Sequence, residues 1–235
     1  MNNVDLKRVV CVYHSRRQTN NRFSTLLRDG GVDIQEIYIE ESDTLPGDSD
    51  RADGFISFGG TNSVNDGLES TRAELYWIER LFRADARFLG ICFGAQLMAK
   101  VLGATVEPHP EGKAEIGYYK VNPTDRGRTL FSTSRIFYQW HREGFAVPAG
   151  ATLLATGDIF PVQAIGFRNA TGLMFHPEAT ADIIKQWLEI GHHRLNLPGA
   201  QNAATQLELA STAEPKIEDW SKDFLAKWSA GQFVW

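Results

Sequence analysis

Cysteine is scarce in this chain: 235 residues carry two cysteines, three methionines and nine prolines. Two thiols are too few for a disulfide framework, and Cys11 and Cys92 stand in unlike surroundings, so each is read alone. No apolar run approaches the ~20 residues that cross a bilayer, and the opening Met1-Asn2-Asn3-Val4-Asp5 has no apolar signal core. A cytoplasmic address without membrane contact is therefore expected. Neither charge sign dominates: 24 Lys and Arg face 29 Asp and Glu, a net −5 with both signs scattered. No basic patch points to nucleic acid. What is present is ordinary for a folded protein, with 43% hydrophobic residues, 23% charged and 21 glycines. At ~150 residues per domain the length suits one domain or one and a half.

Short β-branched runs alternate with helical spacing in the first half. Arg8 to Tyr13, Ile34 to Ile39, Gly54 to Phe58 and Arg87 to Ile91 read as buried strands. Glu69 to Arg83 carries Ala73, Trp77, Ile78, Leu81 and Phe82 on one helical stripe. Gly94 to Leu102 reads as a helix starting straight after a strand, with Gly103 as its stop. The alternation predicts an α/β fold with a mostly parallel sheet covered on both faces. From Ala104 to Phe175 strand follows strand: Gly117 to Val121, Ile136 to Tyr138, Thr152 to Ala155 and Val162 to Phe167. Ala179 to Ile190 is helical again and Gly191 ends it; Ile217, Trp220, Phe224, Leu225 and Trp228 mark a second amphipathic helix. That stripe is expected to pack on the parent domain, with a homodimer contact as the alternative. Trp77 and Trp187 read as core residues.

Three segments carry chemistry. Gly90-Ile91-Cys92-Phe93-Gly94 sets a thiol between glycines where a strand turns into a helix, the arrangement of a nucleophile elbow. The helix N-terminus favours an anion there. The alternative is a buried apolar thiol, as Val9-Val10-Cys11-Val12 suggests for Cys11. Phe175-His176-Pro177-Glu178 supplies a base and a carboxylate; Pro177 favours extended backbone at His176, so the side chains two apart share a side. His176 would take the Cys92 proton while its other nitrogen donates to Glu178. A structural His beside a capping carboxylate, or part of a metal site, is the competing reading. No further Cys/His pair at ligand spacing exists, His192-His193 reads as a solvated helix end, and no metal is expected. Finally, Gly59-Gly60-Thr61 follows a buried strand, so backbone N–H groups can face a ligand. With neither Lys-Ser/Thr after it nor G-x-G-x-x-G, nucleotide or other cofactor binding has little support. An oxyanion hole uses the same geometry, with the Phe93 N–H as second donor.

In this order the chain resembles the class I, triad-type glutamine amidotransferases, especially the free-standing set related to the amidotransferase domain of GMP synthase. The matching residues are Gly59-Gly60 with Ser63-Val64-Asn65-Asp66, Gly90 to Leu97, Glu115-Ile116-Gly117-Tyr118, Trp140-His141, Gln163-Ala164 and Phe175 to Glu178. They span about Val9 to Ile190, and Leu197-Pro198-Gly199-Ala200-Gln201 also looks like the free-standing set. The resemblance implies a flavodoxin-like fold with a mostly parallel central sheet, a smaller antiparallel β segment and a C-terminal helical extension. It divides the chain into an amidotransferase-like domain over residues 1–190 and an extension over 191–235 packing on it. It also implies a Cys92 glutamyl thioester, an oxyanion held by Gly60 and Phe93, and release of glutamate and ammonia. Gly59, Gln96, Trp140, His141 and Arg142 would then line the substrate. Some 45 residues after the core are too few for a synthetase domain, so a separate ammonia-accepting partner is expected. Three positions depart from the family: Thr61 replaces a common Pro, Arg142-Glu143 replace Gly-Asp, and Met174 replaces Gln. Arg142 suits an extra carboxylate, which keeps open a hydrolase or transferase of γ-glutamyl amides with the same triad. A non-catalytic regulatory homologue is the third reading, against which the intact Cys92, His176 and Glu178 argue.

Overall fold

The computed structural model describes residues 6–41, 43–47 and 51–235; the opening pentapeptide read above for a signal core lies outside them. Eleven strands run β1 Arg8–Tyr13, β2 Asp33–Tyr38, β3 Gly54–Ser57, β4 Phe88–Ile91, β5 Val106–Pro108, β6 Glu115–Pro123, β7 Arg135–His141, β8 Glu143–Phe145, β9 Thr152–Thr156, β10 Ala164–Phe167 and β11 Ala170–Leu173. Five helices accompany them: α1 Arg22–Asp29, α2 Glu69–Arg83, α3 Phe93–Val101, α4 Ala181–Ile190 and α5 Ala203–Ser229. Nine strands form one sheet in the order β2-β1-β3-β4-β11-β10-β9-β6-β7, and β5 pairs with β8 in a second. The first five in that order are mutually parallel. From β11 onward every pairing is antiparallel.

The alternation along β1 shows why a continuous apolar run is needed. Val9, Cys11 and Tyr13 face the core beneath α1, α4 and α5, whereas Val10 and Val12 face the one beneath α2 and α3. Both faces of the parallel half are thus covered, and its five strand C-termini share one edge. The expected strands are present with ends shifted by up to three residues, as at β7. Given no range in the sequence were α1, whose eight residues start at the Asn21 cap, the three-residue strands β5 and β8, and the four-residue β11. Their signals are too short for periodicity to register.

The C-terminal helix is longer than its apolar stripe suggests, reaching back through Pro215 to an Asn202 cap that accepts the Thr205 N–H at 2.9 Å. Trp220, Phe224 and Trp228 are buried in the main core, and the Trp220 ring meets Phe131, Phe137 and Phe175. Ahead of the helix, Gln201 pairs with β6 as a strand would, its side chain accepting the Tyr118 N–H and donating to the Tyr118 carbonyl. Gly117, at φ 127, makes room, since a Cβ there would lie 2.3 Å from Gln201 Oε1. Gly103 follows α3 at φ 90 and Gly191 caps α4 as expected, though Gly191 does so at φ −98 and its missing side chain serves packing as well: a Cβ there would lie 2.5 Å from the Trp140 ring.

Candidate active site

The site forms where the C-terminal ends of β3, β4 and β11, neighbours in the sheet, meet. In open α/β sheets this is where loops leave the strands and side chains converge. Cys92 sits between β4 and α3 with φ 49 and ψ −99, a conformation that strains any residue with a Cβ. The glycines around it answer that turn. A Cβ on Gly90 would lie 2.5 Å from the Gly94 carbonyl oxygen, and one on Gly94 would lie 2.2 Å from that of Ser57. The Cys92 N–H donates to the Leu173 carbonyl at 2.7 Å, tying the elbow to β11. As first residue of α3, Phe93 carries an N–H with no partner inside the helix.

His176 and Glu178 follow β11 on the adjacent loop. The His176 Nδ1–H donates to Glu178 Oε1 at 2.8 Å, and both side chains are buried. His176 Nε2 is buried with no hydrogen-bond partner. Burial by itself lowers the His176 pKa, but the Glu178 carboxylate and the Cys92 sulfur outweigh it, and the pKa is raised. The ring stacks edge-on against Trp187 at 4.9 Å. Trp187 is half-buried at the wall of the site, which corrects its assignment to the core. Arg22 on α1, unread in the sequence, donates to the carbonyls of Pro177 and Ala179 and pairs with Glu214 of α5. It thereby fixes the loop that carries the histidine. Its signal, one arginine among 24 basic side chains, has no local pattern.

A second unread group lies under the glycine loop. His14, just after β1, is buried; its Nδ1 faces the Gly59 carbonyl at 3.1 Å and its Nε2 faces Glu74 Oε2 at 2.8 Å. Ser57 donates to the other Glu74 oxygen at 2.7 Å. Both ring nitrogens thus meet acceptors, which only the doubly protonated imidazolium satisfies. Burial opposes that charge, the Glu74 carboxylate more than offsets it, and the pKa is raised. A trans peptide sets C=O and N–H on opposite sides. By holding the Gly59 carbonyl, His14 therefore turns the Gly60 N–H away from itself.

Two cavities meet at this point, sharing Gly60, Thr61, Trp140 and Arg194. The smaller, about 40 Å3, reaches Cys92 and is lined by Gln96, His141, Arg142 and Glu143. Gln96 is buried and its Nε2 donates to the Glu143 carbonyl at 3.2 Å. Ser63 Oγ donates to the Glu143 carboxylate at 2.8 Å. His141 is engaged on both nitrogens, by the Glu143 carbonyl at 3.1 Å, and by Gln139 Oε1 at 3.2 Å and Glu115 Oε2 at 3.1 Å. Gln163 joins Glu115 and Gln139 in the same buried network. Glu115, His141 and Gln163, scattered in the sequence, thus form one unit. Gly59 packs against the catalytic pair instead of lining the cavity: a Cβ on it would lie 2.9 Å from His176 Cε1. The larger cavity, about 170 Å3, is lined by His176, Trp140 and Trp187. Among the described residues no cluster of three or more His, Cys, Asp or Glu side chains could hold a metal ion. No helix among them is long and apolar enough to cross a membrane.

The site thus sets a thiol at a strained strand–helix turn beside a buried histidine–carboxylate pair, at the edge of the parallel part of an α/β sheet. The family model for "Glutamine amidotransferase class-I" matches residues 17–188, and the chain belongs to that family. It is 28% identical over 205 residues to the glutamine amidotransferase-like protein YfeJ of Salmonella typhimurium, covering 83% of this chain and 84% of that one. It is 34% identical over 169 residues to a glutamine-hydrolysing GMP synthase of Phenylobacterium zucineum, covering 68% of this chain and 31% of the relative, so it spans about a third of that protein. The crystal structure of a glutamine amidotransferase from Methylobacillus flagellatus shares the fold, with a TM-score of 0.90, 24% identity and coverage of 98% and 97%.

Proposed function

We propose that the protein hydrolyses the side-chain amide of glutamine through a glutamyl thioester on Cys92, releasing glutamate and ammonia. The observation that carries this reading is the His176–Glu178 pair, 2.8 Å apart and buried, on the loop after β11, the strand that pairs with β4 just ahead of Cys92. The Cys92 sulfur attacks the γ-carbonyl carbon, and the oxyanion that develops is held by the N–H groups of Gly60 and Phe93. The C–N bond breaks, and the nitrogen leaves with the proton of His176 Nε2. Water then adds to the thioester, gives a proton to His176 and returns the C–S electron pair to Cys92. Glu178 holds the imidazole in the tautomer that presents Nε2.

In this reading Gln96, Trp140, His141, Arg142 and the Ser63–Glu143 pair surround the glutamyl group, with Arg142 for its carboxylate and Glu143 for its ammonium. Gly59 acts by its carbonyl, through His14. The 1–190 segment carries the chemistry, and 191–235 packs on it to close the core. Ammonia passes to a separate acceptor enzyme in the cytoplasm. The test is glutamate release from glutamine by the native chain and by Cys92→Ala, with labelling by a thiol-reactive glutamine analogue. Release and labelling that both vanish in the variant are expected. Release that persists in Cys92→Ala sinks the thioester, and absence of both in the native chain favours a regulatory role.

A further inference from the structure

The thioester reading fixes where the leaving group goes. A group that hands over a proton must touch its acceptor, so the departing nitrogen passes His176 Nε2, the buried nitrogen without a partner. The larger cavity opens on that side and has His176 in its wall. Its volume is about 170 Å3, whereas a water-sized molecule such as ammonia needs only ~10–15 Å3. Ammonia alone leaves most of it unfilled.

The walls state what would fill it. Trp140 and Trp187 meet at 6.0 Å, edge to face, and Ile190 at the end of α4 is 55% exposed, so three large apolar surfaces bound the space. Arg17 and Arg194 supply the charged positions, and no Asp or Glu lines the cavity. Arg194 stands near enough to Arg142 that burial and that like charge both lower its pKa, against the pull of the Cys92 sulfur. Arg142, given to the glutamyl carboxylate above, lines the smaller cavity and not the larger, which leaves Arg194 and Arg17 to favour a second anion there.

The geometry points to this cavity as the binding site for the amine half of a γ-glutamyl amide: an amino acid with a large apolar side chain, linked through its nitrogen to the glutamate γ-carboxyl. Its ring or branched chain packs against the wall made by Trp140, Trp187 and Ile190, and its own carboxylate pairs with Arg194 and Arg17. The chemistry is that of the thioester reading, on which this inference rests. The amide C–N bond breaks, the amino acid departs with the His176 proton in place of ammonia, and water releases glutamate.

The experiment compares kcat/KM for glutamine, γ-glutamyl-glycine, γ-glutamyl-phenylalanine and γ-glutamyl-phenethylamine, the last lacking the second carboxylate. We expect γ-glutamyl-phenylalanine to exceed glutamine and γ-glutamyl-glycine by about tenfold or more, with the phenethylamide between. Ile190→Glu, at an exposed position, should lower the phenylalanine-to-glutamine ratio about tenfold, and Arg17→Glu should erase the advantage of phenylalanine over phenethylamide. Glutamine turnover with γ-glutamyl-phenylalanine no better than glutamine overturns the site and leaves the thioester standing. That result also turns the cavity towards an acceptor protein. An Ile190→Glu ratio equal to the native one overturns the site as well. If no substrate is turned over and the glutamine analogue fails to label Cys92, both readings fall together.

Discussion

The parallel half of the sheet and its antiparallel wing build opposite sides of one site by different means. On the parallel side, Cys92, His176 and the Gly59-Gly60 loop each follow a strand directly, so strand geometry alone brings them to one edge. On the wing, Glu115, Gln139, His141 and Gln163 form a buried polar network between strands, and the residues that reach the cavities, Trp140, Arg142 and Glu143, hang from it. In the proposed reaction the parallel side sets the reacting atoms and the wing sets the shape around them. Substitutions on the first should therefore act on kcat, and those on the second on KM and substrate choice.

The two cysteines give the sharpest break. Both are buried, but Cys11 lies inside β1, where burial pushes its thiol up to about 12. Cys92→Ala should reduce glutamate release to background with the thermal midpoint nearly unchanged, while Cys11→Ala keeps its rate per folded molecule.

Next in size is Glu178→Gln, on the order of 10⁴-fold in kcat near neutral pH, as for loss of the orienting acid in other triads. The sign of its pH effect follows from the raised pKa of His176. A raised group stays protonated to higher pH and loses its proton as pH rises through the folded value. Removing the Glu178 charge should therefore move the alkaline limb of the kcat profile to lower pH.

His14→Ala should lower kcat by ~10²-fold, the effect of losing one oxyanion donor, with KM changed less than threefold. The Gly59–Gly60 peptide is then free to turn, and Glu74 is left buried without its cation. Equal changes in kcat and KM would place His14 with the wing instead. Smallest, Arg142→Ala should raise the KM for glutamine about tenfold at little cost in kcat. The expected mirror image is Glu115→Gln, which loosens His141 and raises KM while lowering stability by ~1–3 kcal/mol, measured by denaturant unfolding.

The alternation of β-branched runs and helical stripes determined the α/β architecture, because each strand buried on two faces must be continuously apolar and each covering helix must show one apolar stripe. The elbow around Cys92 and the His176-Pro177-Glu178 step were also legible, since tight turns and i, i+2 pairings depend only on neighbouring residues. Tertiary structure alone decided the rest. Nothing near His14, Glu74 or Arg22 in the chain announces a partner, because His14 and Glu74 are 60 residues apart and Arg22 and Glu214 are 192 apart. Trp187 reads as core from its stripe, yet the approach of Trp140, admitted by the missing side chain of Gly191, places it at a cavity wall. Local sequence determines the backbone turn at Cys92; the charges that hold its surroundings come from distant segments, and only packing brings them together.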